Sequence, residues 1–267
     1  MKDAEFLQVQ QFVKERIGVD LSQKRTLIEG RLEPHLAKQG FHDFTEYMSF
    51  VKQDVSGKEL EAMLSILTTH HTYFWREPVH FELYRDEVLP YLKKKEMVSK
   101  DLRIWSAAAS TGEEPYTLAM LNKDFFGFDH SHWDTKILAT DVSTKVLEFA
   151  QKGIYSEEQV NALPGQWKKL YFQNIGNDRF EAKPDLKKEV LFRQFNLMHP
   201  LSFRKPLHVV FIRNVMIYFE EDTKKQLLHR IVDAMAPGGY LFVGTTESVD
   251  REELGLEYVI PSVYRKM

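Results

Sequence analysis

Near residue 100 the spacing of apolar side chains changes character, and that change constrains the fold more than any other feature of the chain. Up to about residue 70 the apolar residues recur at helical intervals. Phe6, Val9, Phe12, Val13 and Ile17 line one helix that Gly18 closes, and Leu21, Ile28, Leu32 and Leu36 mark a second that ends at Gly40. Phe44, Tyr47, Met48 and Val51 predict a third helix, and Leu60, Met63, Leu64 and Leu67 a fourth. From about residue 100, short apolar runs at 103–107, 136–140, 208–212 and 240–244 alternate with amphipathic stretches at about 114–127, 143–152 and 222–236. Strand then helix, repeated, predicts a parallel sheet covered on both faces. Gly238-Gly239 predicts a tight turn into the last of these strands, and 257–260 with 262–265 a terminal strand pair around Pro261. Residues 168–195 break the alternation. Their short apolar segments flank Asn174, Gly176, Asn177 and Asp178, which predicts a small antiparallel insertion. The expected organisation is α/β: a helical domain over 1–73, then a sheet domain over 74–267 with a β-subdomain at about 165–195.

With 43% hydrophobic and 28% charged residues, the chain has an ordinary globular balance and can bury a core. A net charge of −3 gives no global grip on nucleic acid or an anionic membrane. There is no cysteine, which excludes disulfides, a thiolate nucleophile and Cys-ligated zinc. The first residues lack the apolar core of a signal peptide, and no apolar run is long enough for a membrane span, so a soluble cytoplasmic protein is expected.

Four segments carry candidate chemistry. Ser106-Ala107-Ala108-Ala109-Ser110-Thr111-Gly112-Glu113-Glu114-Pro115 follows the first predicted strand and opens a helix, where a doubly wound sheet binds its nucleotide-like ligand. Small residues let a ligand approach the backbone closely. The motif G-x-G-x-x-G is absent, and two carboxylates stand where a pyrophosphate would need the helix N-terminus. That suits a phosphate-free ligand with a positive centre, although a capped helix with early acids would look the same. Asp141 ends the second strand, where an acid accepts ribose hydroxyls or caps the next helix. Leu67 to Pro78, with His70, His71, Tyr73, Trp75 and Arg76, is aromatic enough for an interdomain cleft or for a packing linker. The adjacent histidines diverge and have no spaced third ligand, so no metal is expected. Arg213-Asn214 ends the strand at 208–212, and Tyr218 follows with a hydroxyl for the reacting groups or for the core.

Together these segments resemble the chemotaxis receptor glutamate methyltransferases, the CheR family. LTTHHTYFWREP, RIWSAAASTGEEPYTLAM, ILATDVSTKVLEFAQKGIY, FNL, VVFIRNVMIYF and PGGYLFVGTTES occur in family order over residues 67–248. The resemblance implies a small N-terminal helical domain, a Rossmann-like methyltransferase domain with an inserted β-subdomain, and S-adenosylmethionine as donor, with S-adenosylhomocysteine as product. It implies cofactor contacts at His70, Thr72, Arg76, Glu114, Asp141, Asn196, Leu197, Arg213 and Asn214, with Arg76 and Tyr218 nearest the methyl transfer. The family usually has Asn where this chain has His70 and Phe where it has Trp75. In some members the β-subdomain carries a longer glycine-containing loop that binds a receptor C-terminal pentapeptide. The short stretch from Phe172 to Asn196 looks like the tether-independent form.

An acceptor glutamate is already ionised at neutral pH, so no general base is required. The implied partner is the cytoplasmic helical bundle of chemotaxis receptors, and a monomer is expected. Lys24, Arg31, His35 and Lys38 fall on one face of the second helix and offer a docking stripe for acidic bundles. Two alternatives stay open: a methyltransferase of the same family acting on another protein, and a non-catalytic adenosylmethionine-binding adaptor. A nucleic-acid methyltransferase fits the charge poorly.

Overall fold

A computed structural model describes residues 1–68 and 70–267. Four helices form the N-terminal domain: α1 (Asp3–Ile17), α2 (Arg25–Gln39), α3 (Phe44–Gln53) and α4 (Lys58–Leu67). Gly18 ends α1 with φ 74°, and its N–H bonds to the Lys14 carbonyl, the left-handed exit that glycine adopts without a Cβ penalty. Asp43 caps α3 by accepting from the Glu46 N–H at 2.9 Å.

The docking stripe expected on α2 is not a continuous exposed face. Arg31 turns inward and donates to the carbonyls of Leu67 and Thr68, each at 3.0 Å. These carbonyls end α4 and have no helical donor of their own, so a multi-donor guanidinium satisfies them. His35 meets the Glu59 carboxylate at 2.6 Å. Lys24 lies before the first residue of α2, and only Lys24 and Lys38 of the four are exposed.

The sheet domain begins with α5 (Pro78–Leu83) and α6 (Leu89–Lys95), joined by a π turn over Tyr84–Val88. There follow β1 (Ile104–Ala107), α7 (Glu113–Phe126), β2 (Ile137–Asp141), α8 (Thr144–Lys152), β3 (Ile154–Ser156), α9 (Glu157–Asn161), α10 (Trp167–Tyr171), β4 (Phe172–Gly176), β5 (Arg179–Ala182), α11 (Pro184–Lys187), β6 (Val190–Gln194), β7 (Leu207–Ile212), α12 (Glu221–Ala234), β8 (Met235–Val243), β9 (Leu256–Ile260) and β10 (Val263–Lys266). The main sheet has the order β6-β2-β1-β7-β8-β10-β9, parallel from β6 to β8 and antiparallel through the last two strands. The chain is α/β, as expected.

Two placements differ from expectation. Val190–Gln194 does not belong to the antiparallel insertion. It pairs parallel with β2, from Ile137 opposite Val190 to Asp141 opposite Gln194. As an edge strand with Leu191 exposed it alternates inside and outside, which reads like an antiparallel ribbon. The insertion itself is a three-stranded sheet, β3-β5-β4. Its β4–β5 hairpin turns at Asn177-Asp178, both in the left-handed region at φ 53° and 52°. Gly238-Gly239 is no turn before a strand but a bulge inside β8, where the register with β7 shifts between Leu207 and Val209. A Cβ at Gly239 would stand 2.9 Å from the Ala236 carbonyl oxygen and 3.0 Å from that of His208.

Strand alternation distributes the core over both faces. On β7, Val209 and Phe211 face α5, α6 and α7, with Phe211 stacked on Phe242 at 4.2 Å between ring centroids. Val210 and Ile212 face the opposite layer with Trp105, Leu241 and α12. The N-terminal helices share that second core: Val13, Ile17 and Leu67 belong to the same buried cluster. No helix among the described residues is long and apolar enough to cross a membrane.

Candidate functional site

A cleft opens where the carboxyl ends of β1, β2 and β7 face the N-terminal helices, the edge at which open α/β sheets bind ligands. All ten residues that the resemblance assigns to cofactor or transfer line it: His70, Thr72, Arg76, Glu114, Asp141, Asn196, Leu197, Arg213, Asn214 and Tyr218. The N-terminal domain adds Ile17, Val19, Leu21 and Lys24.

The loop after β1 is held in a conformation that side chains rarely adopt. Ala108, Ser110 and Gly112 have φ of 59°, 50° and 96°. The Asp141 carboxylate holds the loop by accepting from the Ser110 N–H at 2.9 Å, and it accepts from the Ser143 N–H at 3.0 Å. The carboxylate's remaining acceptor capacity suits a hydroxyl of a ligand in the cleft. Burial pushes the Asp141 carboxyl above its ordinary value, with neighbouring backbone N–H groups and His70 acting against the shift. His70 is itself held below its usual value by burial. Its ring pairs with the Thr68 hydroxyl at 2.7 Å, and its carbonyl accepts from the Ser110 hydroxyl at 3.1 Å. Glu113 turns inward to the Thr111 hydroxyl and Gln159, so the two early acids have different fates.

Glu114 faces the cleft floor. It accepts from the Ser106 hydroxyl at 2.7 Å and pairs with Arg213 at 3.0 Å. Arg213 also pairs with Glu77 at 3.2 Å, donates to the Arg76 carbonyl, and lies over the Phe81 ring at 5.1 Å. The guanidinium is nearly inaccessible, so it serves two carboxylates at once. Burial raises the Glu114 carboxyl, and Arg213 opposes the shift. Burial acts on Glu77 too, but Arg213, Asn214 and His80 together hold it below its ordinary value. Two carboxylates share one guanidinium, and Asp141 lines the same cleft. This floor fits a ligand with positive centres and ribose hydroxyls, and the small-residue loop leaves space for its backbone approach.

At the mouth, Arg76 donates to the His71 carbonyl at 2.7 Å and lies over the Tyr73 ring. Tyr218 ends a short 3-10 turn, Met216–Tyr218, and its carbonyl accepts from the Asp20 N–H at 2.7 Å. The Asn196 side chain is engaged within the fold. Its amide donates to the Arg16 carbonyl at 2.6 Å and its oxygen accepts from the Met198 N–H at 3.0 Å. The Leu197 carbonyl is likewise taken, by Arg230 at 2.9 Å. Two carboxylates escaped the sequence reading. Glu77 accepts from the Asn214 side-chain amide at 3.0 Å. Glu247 accepts from the Asn214 backbone N–H at 2.9 Å. Both lie inside motifs, WREP and TTES, yet nothing in their spacing sets them apart from surface acids. Among the described residues no cluster of His, Asp and Glu is arranged to hold a metal.

The family model described as CheR methyltransferase, all-alpha domain, matches residues 4–68, and that of the CheR methyltransferase SAM binding domain matches residues 70–263. The chain is 39% identical over 258 residues to a chemotaxis protein methyltransferase of Borreliella burgdorferi, covering 95% of this chain and 91% of that one. It is 35% identical over 239 residues to a probable chemotaxis protein methyltransferase of Rhizobium etli, covering 88% and 89%. It is 34% identical over 258 residues to the chemotaxis protein methyltransferase of Escherichia coli, covering 95% and 87%. The match runs along nearly the whole chain and through both domains, and the chain belongs to the CheR family of S-adenosylmethionine-dependent methyltransferases.

Proposed function

We propose that the protein transfers the methyl group of S-adenosylmethionine to glutamate side chains of chemotaxis receptors in the cytoplasm, forming O-methyl esters. The observation that carries this reading is the charge layout of the cleft: Arg213 shared by Glu77 and Glu114 at the floor, and the cation Arg76 at the mouth. A negative floor holds a cationic donor, and a positive mouth receives an anionic acceptor. The chemotaxis names of the relatives support the receptor as acceptor. His70, Thr72, Glu114, Asp141, Arg213 and Asn214 are the groups suited to hold the donor by side chains, with Asn196 and Leu197 contributing backbone and apolar surface. When bound, the donor supplies an electrophilic methyl on a sulfonium.

The chain's own task is then positioning and desolvation. A glutamate acceptor arrives deprotonated, so no residue need remove a proton. Arg76 draws the carboxylate in, and the Tyr218 hydroxyl orients it. Orientation of this kind contributes on the order of 7–11 kcal/mol to lowering such a barrier. Because charge is neutralised as the methyl moves, an over-tight clamp would stabilise the ground state. Arg76 is only half-buried and shared with Tyr73, which fits a light grip.

The two-residue β4–β5 turn supports recognition without a receptor tether, so no measurable binding to a receptor C-terminal pentapeptide is expected. Lys24 and Lys38 are the remaining exposed cations for docking, and reversing their charge should weaken receptor methylation. The deciding experiment incubates the protein with labelled methyl donor and a receptor cytoplasmic fragment. Base-labile label on glutamate is the expected result. Label that survives base, or none, overturns the reading.

A further inference from the structure

Glu247 lies half-buried on the irregular segment after β8 and is not itself among the residues assigned to the donor. Its carboxylate nevertheless gathers four backbone N–H groups. One oxygen accepts from Asn214 at 2.9 Å and from Gly244 at 2.6 Å. The other accepts from Met216 at 2.7 Å and from Ile217 at 3.2 Å. The donors come from two loops, one after β7 and one after β8, which leave adjacent strands at the ligand-binding edge.

Those amides belong to the stretch that presents Asn214 and Tyr218 to the cleft. Asn214 sits at φ 57°, a conformation costly for a side chain unless its surroundings dictate it. Met216 and Ile217 open the 3-10 turn, where N–H groups have no partner within the turn. A single ionised acceptor satisfies all of them, and hydrogen bonds to charge are the strong kind. Close approach is built in at Gly244. A Cβ there would stand 2.6 Å from the Asn214 side-chain nitrogen, 2.9 Å from its backbone nitrogen and 2.8 Å from Glu247 itself.

We propose that Glu247 is a positioning residue for methyl transfer, setting Asn214 and Tyr218 through the backbone amides between them. The proposal rests on the methyltransferase reading of this site. Its neighbours Thr246 and Ser248 are exposed, so truncating Glu247 opens no core.

The test is Glu247→Ala in the full chain, with receptor fragment as acceptor. Lost charge-assisted hydrogen bonds should lower kcat by about tenfold or more. Adenosylhomocysteine affinity by calorimetry should weaken as Asn214 loses its backbone partner, whereas KM for the receptor fragment should stay within about threefold, since Arg76 at the mouth keeps its own partner. The vacated cradle of four N–H groups should then accept a small carboxylate. Formate should restore turnover in the variant, chloride at equal ionic strength should not, and neither should speed the parent protein. A kcat within about twofold of the parent, a loss that formate fails to reverse, or a chain that no longer folds overturns the proposal. The parent's turnover in the same assay tests the underlying reading, and the variant-to-parent ratio tests Glu247.

Discussion

At the residue scale the cleft is a balance of buried charge, and its consequences have definite signs. Among the described residues the Arg76 side chain donates to its own loop, so it contributes little to folding and stays available for a carboxylate. Arg76→Ala is expected to lower kcat/KM by about a hundredfold with little change in the unfolding midpoint. Near-normal receptor methylation by the variant would remove Arg76 from the mechanism. Asp141 and Glu114 are raised by burial, so the folded chain binds their protons more tightly than the unfolded chain. Their contribution to folding stability is fully present below the unfolded carboxylate pKa and is lost as pH rises through the raised folded value. A cationic ligand prefers the ionised forms. Calorimetric affinity for S-adenosylmethionine, which carries a sulfonium and an ammonium, should therefore fall as pH drops through the raised carboxyl values. A flat profile would show that neither group meets the ligand. Glu77 has the opposite sign: its contribution holds above the unfolded pKa and fades as pH falls through the depressed folded value.

At the element scale, loops after parallel strands do the presenting, and close packing holds them. Gly112 combines φ 96° with a Cβ position 2.8 Å from the Ala150 Cβ and 3.0 Å from the Tyr155 hydroxyl. Gly112→Ala should cost about 1–3 kcal/mol of stability, read from urea unfolding, because α7 would have to move off α8. A midpoint unchanged by the substitution would mean that the loop yields freely. The Ala-rich motif at this loop was legible because small residues between a strand and a helix have few other uses. The edge strand β6 was not. Its alternating burial follows from its place at the sheet edge, and place is not encoded in local spacing. The bulge in β8 was misread for a related reason: a Gly-Gly pair serves a turn or a close approach equally well, and only the neighbouring carbonyls of β7 and β8 decide which.

At the scale of the whole molecule the two domains share one hydrophobic core. Ile17, Leu67 and Met63 pack in the same cluster as Met216, Phe219 and Ile231. Further ties cross the boundary: Asp20 N–H to the Tyr218 carbonyl, a Val19–Phe219 bridge, and Lys14 to Glu220 at 2.8 Å. The helical domain is thus part of the wall of the cleft. The full chain should unfold in a single cooperative transition, and a fragment beginning at residue 70 should aggregate or melt at lower temperature. A fragment as stable as the full chain would show that the shared cluster contributes nothing.

The four N-terminal helices, the later alternation of strand and helix, the cleft-forming motifs and the family were legible in the sequence alone, because periodicity and residue chemistry are local properties. What only tertiary structure decided is which groups are already spoken for. Arg31, His35 and Asn196 carry the right chemistry for contacts outside the fold, but packing brings helix-end carbonyls and carboxylates to them first. Glu77 and Glu247 look like surface acids until the sheet brings distant amides within bonding distance, and hydrogen bonds act only at that range.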